Sequence, residues 1–346
     1  MTEARRRGRA APQLAVLLVG LALLGGVAIA LDWHELRRLA GDTNWWWVPP
    51  ALAMTALSYL GLSAGLVAFG ELVGLPVRRA VMLRIAFVSI AMNHVVSLGG
   101  AAGYSVRTAL IGRHGGVAGA ALAMSLLHSY LNNLMLMALI QLGVLEIALD
   151  AGAPPVVRGT LLFGALVSLA FIVLSTAALF ARRLRTRCLD VLRRLARVLP
   201  AAWDARLTRI VAELEASLDL GARGVRESPR RAAPPLAFAV LDWTATLLAF
   251  WCCLAAFGER VSPQVLIAGS AIGIGAGFAS LIPGGIGTQE GSLAVVFSLL
   301  GVQLEHAVLA AILFRLVYYF VPFAVSLPLY LGVTRAAERR GETARG

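Results

Sequence analysis

The chain contains no lysine, so all 31 of its basic Lys/Arg positions are arginine, set against 19 acidic residues. A Walker A phosphate loop needs a lysine, and none can form here. Charged residues reach only 14%, too few for an ordinary water-facing surface. There are three cysteines, Cys188, Cys252 and Cys253, which exclude a secreted disulfide framework. HExxH, zinc-ligand spacing and the GxSxG elbow are also missing. Gly273, Gly275 and Gly277 lack the strand–turn–helix context of a nucleotide loop. Neither an enzyme, a cofactor nor a metal site is expected.

Apolar residues make up 59% of the sequence. Several runs approach the ~20 residues that cross a ~30 Å hydrocarbon core. The reading is an all-α, polytopic membrane helix bundle, one integral membrane domain over residues 1–346 with no room for a separate catalytic domain. The net charge of +12 does not point to nucleic acid, because arginine gathers in short flanks. These are the N-terminus (1–12), a central loop (182–234) and the tail (333–346). Such flanks stay cytoplasmic, which puts both termini on the inner side of a plasma membrane.

About eight hydrophobic segments follow, six of them full spans and two broken. A first span runs from Gln13 to Leu31, and Trp45, Trp46 and Trp47 sit where an interfacial aromatic belt precedes the next, which returns inward to Gly70. Arg78, Arg79 and Arg84 mark the inner side, yet Arg107 and Arg113 come too soon for a full crossing between. Residues Ile85–Tyr104 therefore read as a re-entrant hairpin broken at Ser97–Gly103. Spans over Val117–Leu149 and Val156–Ala181 lead to the central loop, where Trp203, Leu207, Ile210, Leu214 and Leu218 recur at helical spacing. That amphipathic helix lies on the inner surface or against the bundle, unless it is an ordinary solvated helix. Spans over Leu236–Phe257 and His306–Leu331 enclose apolar sequence from Val265 to Leu300. Span, broken segment, span thus occurs twice with opposite entry sides, the pattern of an inverted-topology repeat.

The second break is Pro283-Gly284-Gly285-Ile286-Gly287-Thr288-Gln289-Glu290. A half-helix starting at Thr288, as N-cap, would aim unpaired N–H groups at an anion. A tight extramembrane turn is the alternative. Glu290 suits a first helical turn. Arg315 lies ~13 Å into the last span, where a charge costs ~2.5–3.5 kcal/mol unless paired or hydrated. It either meets a ligand or ties two helices by an ion pair. Tyr318 and Tyr319 share its face, and Pro322 frees the carbonyl of Tyr318. The first break offers Asn93, His94, Gly99, Gly100, Gly103, Tyr104 and Arg107. Arg107 either holds a phosphate or marks the cytoplasmic edge, while Arg113 reads as an edge marker. Ser125, His128, Ser129, Asn132 and Asn133 read as interhelical hydrogen bonding, and Gly269, Gly273 and Gly277 as close packing. Asp242 is expected at the interface.

At these residues the chain resembles the lysylphosphatidylglycerol synthase transmembrane region, a flippase-like family. One block is Asn93, Gly99-Gly100, Gly103 and Arg107 to Gly115. The other is Ile282 to Gly287 with Glu290, Gly301, Arg315, Tyr318 and Pro322. The first block lacks the proline and the acidic residue of many members, having Leu98 and Tyr104-Ser105 thereabouts. The resemblance covers Asn44 to Leu331 and implies a bundle with re-entrant helices that helps lipids change leaflets. The cytoplasmic synthase domain of fused members is not in this sequence, so lysyl transfer is not expected.

The function expected is a lipid flippase or transporter moving an anionic or phosphate-bearing lipid. The substrate-binding set is Asn93, Gly99, Gly100, Arg107, Pro283, Gly284, Gly285, Gly287, Thr288, Glu290, Arg315 and Tyr318. The alternatives are a secondary transporter for a small soluble anion and a non-transporting membrane scaffold. Expected partners are membrane lipids, with room for a second copy of the chain and a separate lipid-synthesising enzyme.

Overall fold

A computed structural model describes residues 41, 43–96, 101–149, 155–184, 186–187, 190–191, 201–279, 285 and 287–343. The span expected at Gln13–Leu31 lies outside them, as do residues 97–100, 280–284 and 286 within the two breaks. Among the described residues every regular element is helical. They are α1 (Val48–Leu72), α2 (Arg79–Val96), α3 (Ala101–Arg113), α4 (Ala118–Leu149), α5 (Pro155–Phe180) and α6 (Ala201–Glu227). Then come α7 (Ala233–Ala256), α8 (Pro263–Ala279), α9 (Thr288–Leu299) and α10 (Leu304–Phe314). A π turn (Arg315–Phe320) joins α10 to α11 (Val321–Thr343).

Four stretches are long and apolar enough to cross a membrane: Trp45–Leu72, Ala118–Leu145, Pro229–Ala256 and Leu304–Arg335. They coincide with four of the six expected full spans. The fifth, at 156–181, forms α5, whose apolar stretch is the shorter Leu162–Ala177. Around the expected breaks, Gly103 of α3 lies against Asn93 and Ser89 of α2, and Gly285 and Gly287 leave helical geometry before α9. The first break is narrower than expected, because Gly103 is already inside α3. Trp45 and Trp46 are exposed, while the Trp47 ring stands edge-on to Trp251 at 5.3 Å.

α1 and α7 form the central pair, running antiparallel. The N–H of Asn44, just before α1, donates to Ala256 O at the end of α7 (2.8 Å). Farther along, a Cβ on Gly61 would lie 3.0 Å from Phe238 O and 3.2 Å from Asp242 N. Glycine there lets two backbones touch, the usual way membrane helices gain packing where the surrounding lipid is as apolar as their side chains. Around this pair α2 packs on α11 while α8 packs on α4. The broken segment of each half thus rests on the span that follows the break in the other. With α1 and α7 antiparallel, that exchange is the pairing an inverted repeat requires.

Within the second broken segment, Phe297 of α9 lies over Gly269 and Leu293 over Gly273. This is the close packing expected of Gly269 and Gly273. The amphipathic stretch forms α6 and packs against the bundle. Ser217 Oγ donates to Gly119 O at 3.2 Å, and Gly221 faces Leu127.

Substituting valine for Gly61 is expected to cost ~1–3 kcal/mol through overpacking. Gly164, on α5, has open space around its Cβ position. Gly164→Ala should be neutral or gain up to ~1 kcal/mol of helix propensity. Unfolding in mixed micelles compares the two; equal effects would contradict the α1–α7 contact.

Candidate functional site

The second break ends where α9 begins. Gly287, with φ +80°, occupies the position before the helix, a conformation that side chains resist. Thr288 is therefore the first helical residue, not the expected N-cap. The cap comes instead from Glu290, whose Oε2 accepts the Gly287 N–H at 2.7 Å. An acid here also complements the positive end of the helix dipole.

The other carboxylate oxygen of Glu290 accepts from Nε of Arg315. The two side chains are only 17% and 9% exposed, so this is a largely desolvated ion pair. Arg315 Nη2 also donates to Gly285 O at 3.3 Å and reaches Gln289 Oε1 at 3.5 Å. Its guanidinium carbon stands 4.1 Å from the centroid of the Tyr319 ring. Tyr319 OH accepts from Gln289 Nε2 (2.8 Å) and donates to Gln289 Oε1 (3.0 Å). Each of these partners is a charge, an acceptor or a π face, as a guanidinium buried in an apolar bundle requires.

Arg315 opens the π turn, whose extra residue per turn keeps Arg315, Val317, Tyr318 and Tyr319 all buried. Tyr318 faces the central pair: its hydroxyl lies 2.7 Å from Ser58 Oγ and 2.9 Å from Thr246 Oγ1. The Tyr318 carbonyl, which Pro322 was expected to free, accepts from Tyr59 OH of α1 at 3.1 Å. With its proton so used, Tyr59 accepts from His94 Nδ1 at 2.8 Å. The His94 ring stacks on Tyr318 (5.9 Å) and meets Tyr319 (5.5 Å). The structure thus joins His94 of the first block to Tyr318 and Tyr319 beside the second.

Arg107 stands apart. It is 4% exposed, so it does not mark the membrane edge, whereas Arg113 is exposed as expected. Arg107 Nε donates to Ser89 Oγ at 3.0 Å and Nη1 to Ser125 Oγ at 2.8 Å. The Tyr104 ring lies 5.7 Å away. Among the described residues no carboxylate pairs with Arg107 and nothing accepts from its Nη2. Asn93 Oδ1 accepts the Gly103 N–H at 3.3 Å and ties α2 to α3. No hydrogen bond among the described residues links Arg107 to the Arg315 network. Of the remaining candidates, Gly99, Gly100, Pro283 and Gly284 lie outside the described residues.

Two features were not expected. Asp242 is 3% exposed, buried rather than interfacial. Ser58 Oγ donates to Asp242 Oδ1 at 2.5 Å, and Thr246 Oγ1 does so at 3.4 Å. Its helix starts at Ala233, nine residues earlier, so at 1.5 Å per residue it sits ~14 Å along the axis. The depth reasoning applied to Arg315 would have found it. The second feature is a groove of about 590 Å³ between α1, α2 and the start of α7. Val67, Leu72, Leu83 and Phe238 wall it, and Glu71, Arg79 and Arg231 edge it. Arg79 is paired with Glu71, whose hydrogen bond raises its pKa further.

Residues 13–326 match the family described as lysylphosphatidylglycerol synthase TM region, and the chain belongs to that family. It is similar to phosphatidylglycerol lysyltransferases of Staphylococcus aureus strains COL and MRSA252, each 34% identical over 89 residues. Those matches cover 26% of this chain and 11% of the length of each relative.

If the Arg315–Glu290 pair is the main tie between the break and the last span, Arg315→Ala should cost ~3 kcal/mol, since it strands a desolvated carboxylate. Glu290→Gln should cost less, because an amide oxygen still accepts the Gly287 N–H. A double-mutant cycle on unfolding free energy is expected to give a coupling above ~1 kcal/mol; additive losses would contradict the pair.

Proposed function

From membership in that family, we propose that this protein is a lipid translocator. It moves an anionic or phosphate-bearing lipid between leaflets of a bacterial plasma membrane, with both termini cytoplasmic. It works by binding and passage, without chemical change to the lipid. The observation that carries this reading is Arg107, a buried guanidinium held by two neutral hydroxyls with no carboxylate among the described residues. Among the described residues no carboxylate cancels its positive charge and no acceptor meets its Nη2, which suits a headgroup phosphate.

The groove supports the same reading. Apolar walls with arginines at the edge match an amphiphile better than a small soluble anion, which needs no apolar wall. A charged headgroup left in hydrocarbon faces a barrier of several kcal/mol, and each ~1.4 kcal/mol removed is worth tenfold in rate. Arg315 differs from Arg107 because Glu290 already cancels its charge. It receives a headgroup only by exchanging that partner, so its first role is to hold the break in shape.

The test is headgroup accessibility in proteoliposomes carrying labelled phosphatidylglycerol, phosphatidylethanolamine or phosphatidylcholine, with entrapped phosphate as a control. Wild type should expose labelled phosphatidylglycerol fastest, and Arg107→Gln should slow it by about tenfold or more. Arg107→Lys should retain part of the rate. Phosphate efflux without lipid exchange would favour a soluble-anion carrier. Folded protein that moves neither would overturn the proposal.

A further inference from the structure

The lipid reading makes no use of Asp242, although it is the most conspicuous acid inside the bundle. Four side-chain oxygens meet there from three elements: Ser58 of α1, Asp242 and Thr246 of α7, and Tyr318 of the π turn. Ser58 Oγ lies 2.5 Å from Asp242 Oδ1, 2.7 Å from Tyr318 OH and 3.2 Å from Thr246 Oγ1. Thr246 Oγ1 lies 2.9 Å from Tyr318 OH and 3.4 Å from Asp242 Oδ1. Among the described residues Asp242 has no arginine or histidine within ion-pair distance, and the hydrogen bonds from Ser58 and Thr246 both fall on Oδ1. Asp242, alone of the four, also lines a cavity of about 10 Å³ shared with His128 and Asn132, room for about one water.

We propose that the Ser58–Asp242–Thr246–Tyr318 cluster is a binding site for a single sodium ion. The ligands are all hard oxygens, with no sulfur or nitrogen among them, and such a set prefers a hard cation. One carboxylate balances one positive charge, which selects a monovalent ion. The oxygens are drawn close together, so a small ion fits with less expansion than potassium. Charged and titratable groups nearby do not compete for the role. Tyr59 of α1 is occupied by the Tyr318 carbonyl and His94 of α2, and His128 of α4 faces Leu62 O at 3.2 Å. Arg315 is held by Glu290.

The position gives such an ion a lever. Tyr318 would be its ligand, and Arg315 lies three residues earlier in the same π turn. An ion that draws in the Tyr318 hydroxyl biases the turn that keeps Arg315 on Glu290. By linkage, whatever rearranges Arg315 changes sodium affinity by the same factor. This coupling rests on the lipid reading for what it drives, but the binding of sodium does not.

The test uses the purified full chain in nanodiscs of uncharged lipid. Sodium is titrated against potassium or N-methylglucamine at constant ionic strength and pH, reading bound radioactive sodium and the unfolding midpoint. Wild type should bind sodium saturably, with a rising midpoint that potassium does not reproduce. Asp242→Asn should stay folded and lose both responses. Ser58→Ala and Thr246→Val each remove one ligand and should weaken binding by about tenfold, which keeps the test decisive if the Asn variant fails to fold. Wild type that binds no sodium, or that takes up only protons, would overturn the site. So would an Asp242→Asn protein that binds as wild type does. Sodium binding without lipid movement would sink the lipid reading and leave this site standing.

Discussion

Arg315 stands in the interior of an apolar helix because the break before α9 supplies what a guanidinium needs there. Hydrocarbon offers no acceptor, so a bare charge at that depth costs ~2.5–3.5 kcal/mol even on the lenient insertion scale. Glu290, Gly285 O and Gln289 supply the acceptors, and all three come from the broken segment or the first turn after it. The dependence runs both ways. A chain that leaves helical geometry inside a membrane exposes carbonyls, and Gly285 O is one of those that must find a donor. Arginine and break satisfy each other, and neither is stable in this place alone. The π turn, the tyrosine stack and the seat of the last span on α2 are built around that exchange.

The π turn extends the constraint to the rest of the bundle. A regular helix would present Arg315, Tyr318 and Tyr319 at slightly drifting angles to one neighbour. Widened by one residue, the turn sends Tyr319 toward Gln289 in the break and Tyr318 toward Ser58 and Thr246 in the central pair. Its loosened carbonyl at Tyr318 then anchors Tyr59, and through it His94. Polar contacts that each contribute little become one network touching α1, α2, α7 and α9. Its donors and acceptors pair in discrete ways, so a change at one member is felt by the others.

Composition and arginine placement made the membrane bundle legible, because bilayer thickness sets segment length and the scarcity of charge leaves few ways to place the ends. Breaks were legible for the same reason: Pro283 and its glycines stand out against oil, and Arg107 follows the previous arginines too soon for a full crossing. Arg315 and Glu290 were visible as charges that had to be answered, although the sequence left open whether the answer was a ligand or each other. Asp242 was misplaced because the apolar run was taken to begin at Leu236. Pro234 and Pro235 fit the first turn of a helix, so the helix starts earlier and carries Asp242 deeper. Thr288 was taken for a cap because a threonine hydroxyl usually serves there. Glu290, three residues after Gly287, took the backbone N–H instead. Pairings such as Ser58 with Asp242 have no signal in one sequence, since no periodicity relates residues 184 apart.

The two halves differ in charge where they agree in architecture. In the second half, Glu290 of the half-helix is joined to Arg315 of the next span across a separation of 25 residues. In the first half, Tyr104 of α3 is joined to Ser129 of α4 across the same separation of 25. The one join is ionic and the other neutral, in keeping with the acid that the first block lacks. With no carboxylate in that join, the nearby guanidinium of Arg107 has only Ser89 and Ser125 as hydrogen-bond partners among the described residues, and hydroxyls satisfy donors without cancelling charge. Arg315 is thus committed to holding the break, while Arg107 has no counter-charge among the described residues. On the proposed lipid reading, an anionic headgroup would therefore meet attraction chiefly from the first half, and the two halves of its path would be unequal in energy.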